Sequence, residues 1–150
     1  MGKTYHSEKA KYMKTIQINH KESGISNGET IRLVYDEEGD MLDIFFGENE
    51  PATGIELTDN ILLRVNRAAK RAVSLTILHF SIMAERTEFG TRSYPLSNLK
   101  TLPVDLQEIV MNAIITAPVS QFLRVSYFQA SQKKRMPFAS VEPLRFAYAA

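Results

Sequence analysis

The chain has 150 residues, 44% hydrophobic and 23% charged, which is the balance of one folded domain that needs no metal or disulfide to hold its core. It has no Cys, so structural disulfides, Cys-ligated zinc and cysteine nucleophiles are excluded. Net charge is +1, which argues against a dedicated nucleic-acid binder; the polar start and lack of any ~20-residue apolar run predict a cytoplasmic protein without leader or membrane partner.

Residues 1–28 carry five Lys against Glu8 and Glu22. Residues 1–13 show little apolar pattern and read as a tail, while 14–19 alternate weakly and offer a short edge strand. Residues 23–28 are a loop by their Gly, Ser and Asn content. Residues 29–59 hold ten acids against one base, Arg32. Within them Ile31, Leu33 and Tyr35 alternate with Arg32, Val34 and Asp36 as a strand does. Asp36-Glu37-Glu38-Gly39-Asp40 is a turn in which Gly39 can take positive φ. Residues 41–46 form the next strand, with Leu42, Ile44 and Phe46 on one face and Met41, Asp43 and Phe45 on the other. The short connection predicts an antiparallel hairpin.

Residues 47–52 are a loop, and 53–57 add a short strand. Ile61, Leu63 and Val65 alternate with Leu62 and Arg64. Asn66-Arg67-Ala68-Ala69-Lys70-Arg71 is a polar reversal. Val73, Leu75 and Ile77 alternate with Ser74 and Thr76, after which Leu78 and Phe80 shift the apolar weight to the other face. Residues 30–80 therefore read as an antiparallel meander of four or five strands with one face needing a cover.

Leu106, Ile109, Val110, Ala113 and Ile114 fall at helical spacing, so a helix over about 103–116 supplies that cover. Asp105 and Glu108 sit in its first turn, where the helix dipole favours acids. Its cap is either Thr101 with Pro103 in the first turn or an Asp105–Glu108 box. Alternation of Leu123, Val125 and Tyr127 predicts a further strand near 122–128. After it, Phe138, Leu144, Phe146 and Tyr148 could fold back onto the sheet. The expected fold is α+β: a 1–28 tail, one domain over 29–128, and a 129–150 extension that packs back or stays disordered. No internal repeat is visible.

The stretch from Tyr35 to Ser81 resembles the small bacterial domain-of-unknown-function family 2283. The resemblance rests on Tyr35-Asp36, on Asp40-Met41-Leu42-Asp43-Ile44, and on the strands at 60–65 and 73–78. It covers about a third of the chain and implies a small α+β fold with no settled activity; a partner-binding, antitoxin-like role is what it suggests. Two departures stand out. The last hairpin turn is basic and lacks the family's Gly, and Thr76 stands where the family carries a late Glu.

The chemistry-bearing residues point away from catalysis. His6, His20 and His79 make no zinc-protease pair, and His79 is expected to flank the core on the face of Ile77. Asp36, Glu38, Asp40 and Asp43 cluster at the hairpin, but an EF-hand counted from Asp36 would need Gly where Met41 stands. No Walker loop, dinucleotide fingerprint or nucleophile elbow occurs. The expectation is a protein that is not an enzyme, with no cofactor and no metal.

Two basic spots remain: Arg64, Arg67, Lys70 and Arg71 in one hairpin, and Lys133, Lys134 and Arg135 near Tyr127, Phe128 and Phe138. Basic groups among aromatics can hold single strands by phosphate contact and stacking. Apolar residues on the second strand face, Met41 and Phe45, together with Leu78 and Phe80, form an interaction surface. The leading expectation is a homo-oligomer or a module binding a small protein partner; the alternative is a nucleic-acid-binding regulator using the basic hairpin.

Overall fold

The computed structural model describes residues 11–17, 30–132 and 134–143. The main sheet has six antiparallel strands: β1 (Lys11–Gln17), β2 (Thr30–Asp36), β3 (Met41–Phe46), β4 (Thr53–Thr58), β5 (Ile61–Asn66) and β6 (Arg71–Leu78). Their spatial order is β1-β2-β3-β6-β5-β4. The predicted single meander is thus corrected to two three-strand meanders joined along β3 and β6. β1 pairs with β2 from Lys11 opposite Asp36 to Gln17 opposite Thr30, so the edge strand starts earlier than 14, inside the predicted tail. Residues 18 and 19, and the loop at 23–28, lie outside the described residues.

The chain reaches β4 by crossing three strand spacings, about 14 Å, which the six residues between Phe46 and Thr53 can span when extended. Once β4 lies at the far edge, β5 and β6 return toward β3. Leu42 then faces Ile77 and Ile44 faces Leu75, so inward residues meet across the seam.

The two hairpins are built alike, thirty positions apart. In the first, Gly39 N donates to Asp36 Oδ1 at 3.2 Å and Asp40 takes φ 50°. In the second, Ala69 N donates to Asn66 Oδ1 at 3.1 Å and Lys70 takes φ 54°. Positive φ therefore falls on Asp40, not on Gly39 as the turn composition predicted. The repeat is one of backbone geometry, carried by an Asp or Asn whose side chain accepts the third N–H onward.

Ile31, Leu33, Leu42, Ile44, Phe46, Leu63, Leu75 and Ile77 are buried on one face. Against that face lies the predicted helix, here α2 (Val104–Ile115), burying Leu106, Val110, Ala113 and Ile114. Neither predicted cap forms. Pro103 occupies the N-cap without a side-chain bond, and Gln107 Nε2 donates to Leu102 O at 2.8 Å instead. Phe122, from beyond α2, meets Phe46 of the sheet at 6.0 Å between ring centroids.

A four-residue helix, α1 (Phe80–Met83), follows β6 where the sequence pattern continued a strand. The chain then forms a small hairpin, β7 (Arg86–Thr87) with β8 (Gly90–Thr91). The predicted C-terminal strand exists as β10 (Leu123–Ser131), but it does not extend the main sheet. It pairs with β11 (Lys134–Val141), which pairs with the two-residue β9 (Tyr94–Pro95).

β11 escaped the sequence reading because Pro137 interrupts it. Leu96 N donates to Pro137 O, so the missing proline N–H falls on the short β9 side and spares the long ladder with β10. Ala139 and Val141 of β11 are buried; Leu144, Phe146 and Tyr148 lie outside the described residues.

Candidate functional site

The second face of the main sheet carries the residues that alternation assigned to it. One cross-strand row runs Arg32, Phe45, Ser74, Arg64; the next runs Val34, Asp43, Thr76, Leu62, Glu56; the third holds Asp36, Met41 and Leu78. Val34, Met41, Phe45 and Leu62 are half-buried, Leu78 is 39% exposed, and none belongs to the core cluster. The Arg32 guanidinium lies 4.6 Å from the Phe45 ring centroid. Thr76 Oγ1 donates to Asp43 Oδ1 at 2.5 Å, joining β6 to β3. Arg32 and Arg64 therefore share one row of this face and carboxylates stand in the other two, with Lys11 of β1 in register with Asp36 in the third.

Phe80 does not belong to that surface. It is 8% exposed and packs edge-on against Tyr35 at 5.9 Å. The strand stops at Leu78 because His79 adopts φ 56° and turns the chain into α1. For the same reason His79 is exposed and does not flank the core as expected.

Asp40 holds this reversal in place. Phe80 N donates to Asp40 O at 3.0 Å, Ser81 N to Oδ1 at 2.9 Å, Ser81 Oγ to Oδ2 at 2.6 Å and Tyr35 OH to Oδ1 at 2.7 Å. Desolvation alone would raise the Asp40 pKa, but the Ser81 and Tyr35 hydrogen bonds outweigh it and the net shift is downward. No sequence pattern announces this latch, although Asp is one of the few non-Gly residues that accept its backbone conformation. Among the described residues no group of three or more His, Asp or Glu could hold a metal ion.

The first basic spot is dispersed by the fold. Arg71 Nη1 donates to Phe46 O at 2.8 Å, Nη2 to Glu48 O at 3.1 Å and Nε to Glu50 Oε1 at 3.3 Å. It staples the β3–β4 crossover. Asn66 Nδ2 reaches the same Glu50 oxygen at 2.8 Å, and these two donors lower the Glu50 pKa. Arg67 pairs with Asp105 of α2 at 3.4 Å, with both side chains largely in solvent. Arg64 turns to Ser74 Oγ at 3.3 Å on the second face. Lys70 is exposed at the turn.

Of the second spot, the Arg135 side chain is described, and it lies among aromatic rings. The Arg135 guanidinium sits 4.5 Å from the Tyr127 centroid, and Phe128 meets Phe138 at 6.2 Å. Lys134 pairs in register with Ser131, whereas Lys133 lies outside the described residues.

Residues 32–81 match the model of a family described as "Protein of unknown function (DUF2283)". The match takes in 50 of the 150 residues, from Arg32 in β2 to Ser81 in α1. It contains the second sheet face from β2 to β6 and all partners of the Asp40 latch. No curated protein and no solved structure matches the chain. Among the described residues no helix is long and apolar enough to cross a membrane.

Proposed function

We propose that the protein is a non-enzymatic interaction module that associates with a second copy of itself through the second face of its main sheet. The observation that carries this reading is the charge order across that face. Arg32 and Arg64 share one row, and Asp36, Asp43 and Glu56 occupy the other two, with Val34, Met41, Phe45, Leu62 and Leu78 among them. A two-fold axis between the rows sets the Arg32–Arg64 row of one copy against Asp43 and Glu56 of the other. Such a surface is self-complementary, as an isologous dimer requires. Asp40, whose pKa the Ser81 and Tyr35 hydrogen bonds hold below the ordinary value, is in the state opposite to what a general acid at neutral pH needs.

Sedimentation equilibrium tests the reading. Wild type is expected to be dimeric, and Phe45→Glu or Leu78→Glu monomeric with an unchanged circular dichroism spectrum. Leu78 is the safer probe of the two because it is already well exposed. A wild-type protein that stays monomeric at high concentration rejects the proposal.

A further inference from the structure

The β10–β11 pair has one half in the core and one half outside it. Leu123, Ala139, Ser140 and Val141 are buried, whereas Ser126, Tyr127, Phe128, Gln129 and Arg135 are exposed. β9 supports it only opposite Phe138 and Ala139. Past Pro137, whose carbonyl accepts from Leu96 N, Met136 is half-buried while Tyr127, Phe128, Gln129 and Arg135 are exposed. A bare two-stranded ribbon is marginally stable in water, and apolar rings on it add exposed surface that folding does not bury. Tyr127 is 48% exposed and Phe128 59% exposed.

Alternation puts one exposed ring and one base on each face. Tyr127 shares its face with Arg135, whose guanidinium stacks on it at 4.5 Å. Phe128 shares the other face with Arg124 and leans on Phe138. Lys134 adds a third positive charge in the ribbon. The sequence from 109 to 141 contains no Asp or Glu, so nothing acidic within the ribbon neutralises these groups. Arg124 is paired with Glu142 at 3.2 Å beyond the end of β11.

From this juxtaposition we propose that the outer half of the β10–β11 ribbon binds single-stranded nucleic acid, with Tyr127 and Phe128 stacking on bases and the basic residues of the ribbon, Arg135 foremost, contacting phosphates. Sequence-tolerant single-strand binding combines these two ingredients, since every base offers a π-face and every linkage a charge. Basic charge alone would suit any polyanion; the exposed rings beside it favour a ligand with unstacked bases over an acidic peptide or a closed duplex. This site is separate from the sheet face proposed for self-association.

Fluorescence anisotropy of the full chain with a labelled 15-mer of deoxythymidine, its RNA counterpart and a duplex of equal length tests the proposal. The single strands are expected to bind more tightly than the duplex. With two to three phosphates engaged, affinity should fall with a log–log salt slope of about −1.4 to −2.1. Phe128→Leu and Tyr127→Leu keep apolar strand residues while removing the rings, so folding is preserved, and each should weaken binding roughly 5- to 150-fold. Arg135→Gln should flatten the salt slope. The proposal is overturned if no single strand binds, if the leucine variants bind as wild type does, or if polyglutamate competes as well as the oligonucleotide.

Discussion

Replacing Arg71 by Ala separates a structural arginine from a ligand-binding one. Its guanidinium donates to two backbone carbonyls, Phe46 O at 2.8 Å and Glu48 O at 3.1 Å, at the point where the chain leaves β3 for the opposite edge of the sheet. A hydrogen bond from a charged donor contributes about 1.5–3 kcal/mol, so the two together set an upper limit of about 3–6 kcal/mol. The side chain is 31% exposed, and water can reach the vacated carbonyls, which halves that figure to about 1.5–3 kcal/mol. For a chain of this size the loss corresponds to a Tm lower by roughly 3–12 °C.

The control is Arg67→Ala, four residues earlier in the same turn. Its ion pair with Asp105 is 47% and 71% exposed on the two sides, and such a pair is worth about 0–1 kcal/mol. Urea unfolding of both variants, with the midpoint and slope fitted together, gives the comparison. Equal, small losses from the two substitutions would refute the staple and return Arg71 to the pool of freely available bases.

Asp40→Asn retains a residue that tolerates positive φ but removes the charge, so it should cost about 1–2 kcal/mol at pH 7. Because the Asp40 pKa is lowered on folding, its contribution is complete above the unfolded carboxylate value of ~3.9 and is lost as pH falls through the lower folded value. The stability gap between wild type and variant, measured in urea at pH 7 and near pH 3, should therefore close in acid. Phe122→Ala removes a fully buried ring that ties the second layer to Phe46 of the sheet, and a loss of about 3–5 kcal/mol in the same assay is expected.

Much of the sheet is legible from period-two alternation. Leu42, Ile44 and Phe46 point inward, and Met41 and Phe45 outward, as their order in the sequence dictates. The α2 face of Leu106, Val110, Ala113 and Ile114 is legible for the matching helical reason. Strand order is not legible in this way. A six-residue loop between two strands suits either a hairpin or a crossing, and what decides for the crossing includes Arg71, Asn66 and Glu50, brought together only by the folded chain. Phe80 was misplaced because apolar alternation ran on through His79, where nothing local marks a left-handed residue. The reversal there is fixed by Asp40, thirty-nine positions upstream.

The bases show the same division between what a sequence displays and what a fold assigns. Lys70-Arg71 and Lys134-Arg135 are the same dipeptide, each near the start of a strand that closes a hairpin. Arg71 begins β6, whose neighbour β3 ends in a crossover with carbonyls turned outward, and its fork is spent on them. Arg135 is the second residue of a strand whose partner β10 runs past the core, and the group within its reach is the face of Tyr127. An arginine bonded to carbonyls is held in place with its donors occupied. One stacked on a ring keeps the N–H groups at its edge directed outward in the plane of the guanidinium, the geometry in which a phosphate is recognised. The difference in function proposed for the two sites follows from those partners, and not from the charge that both spots share.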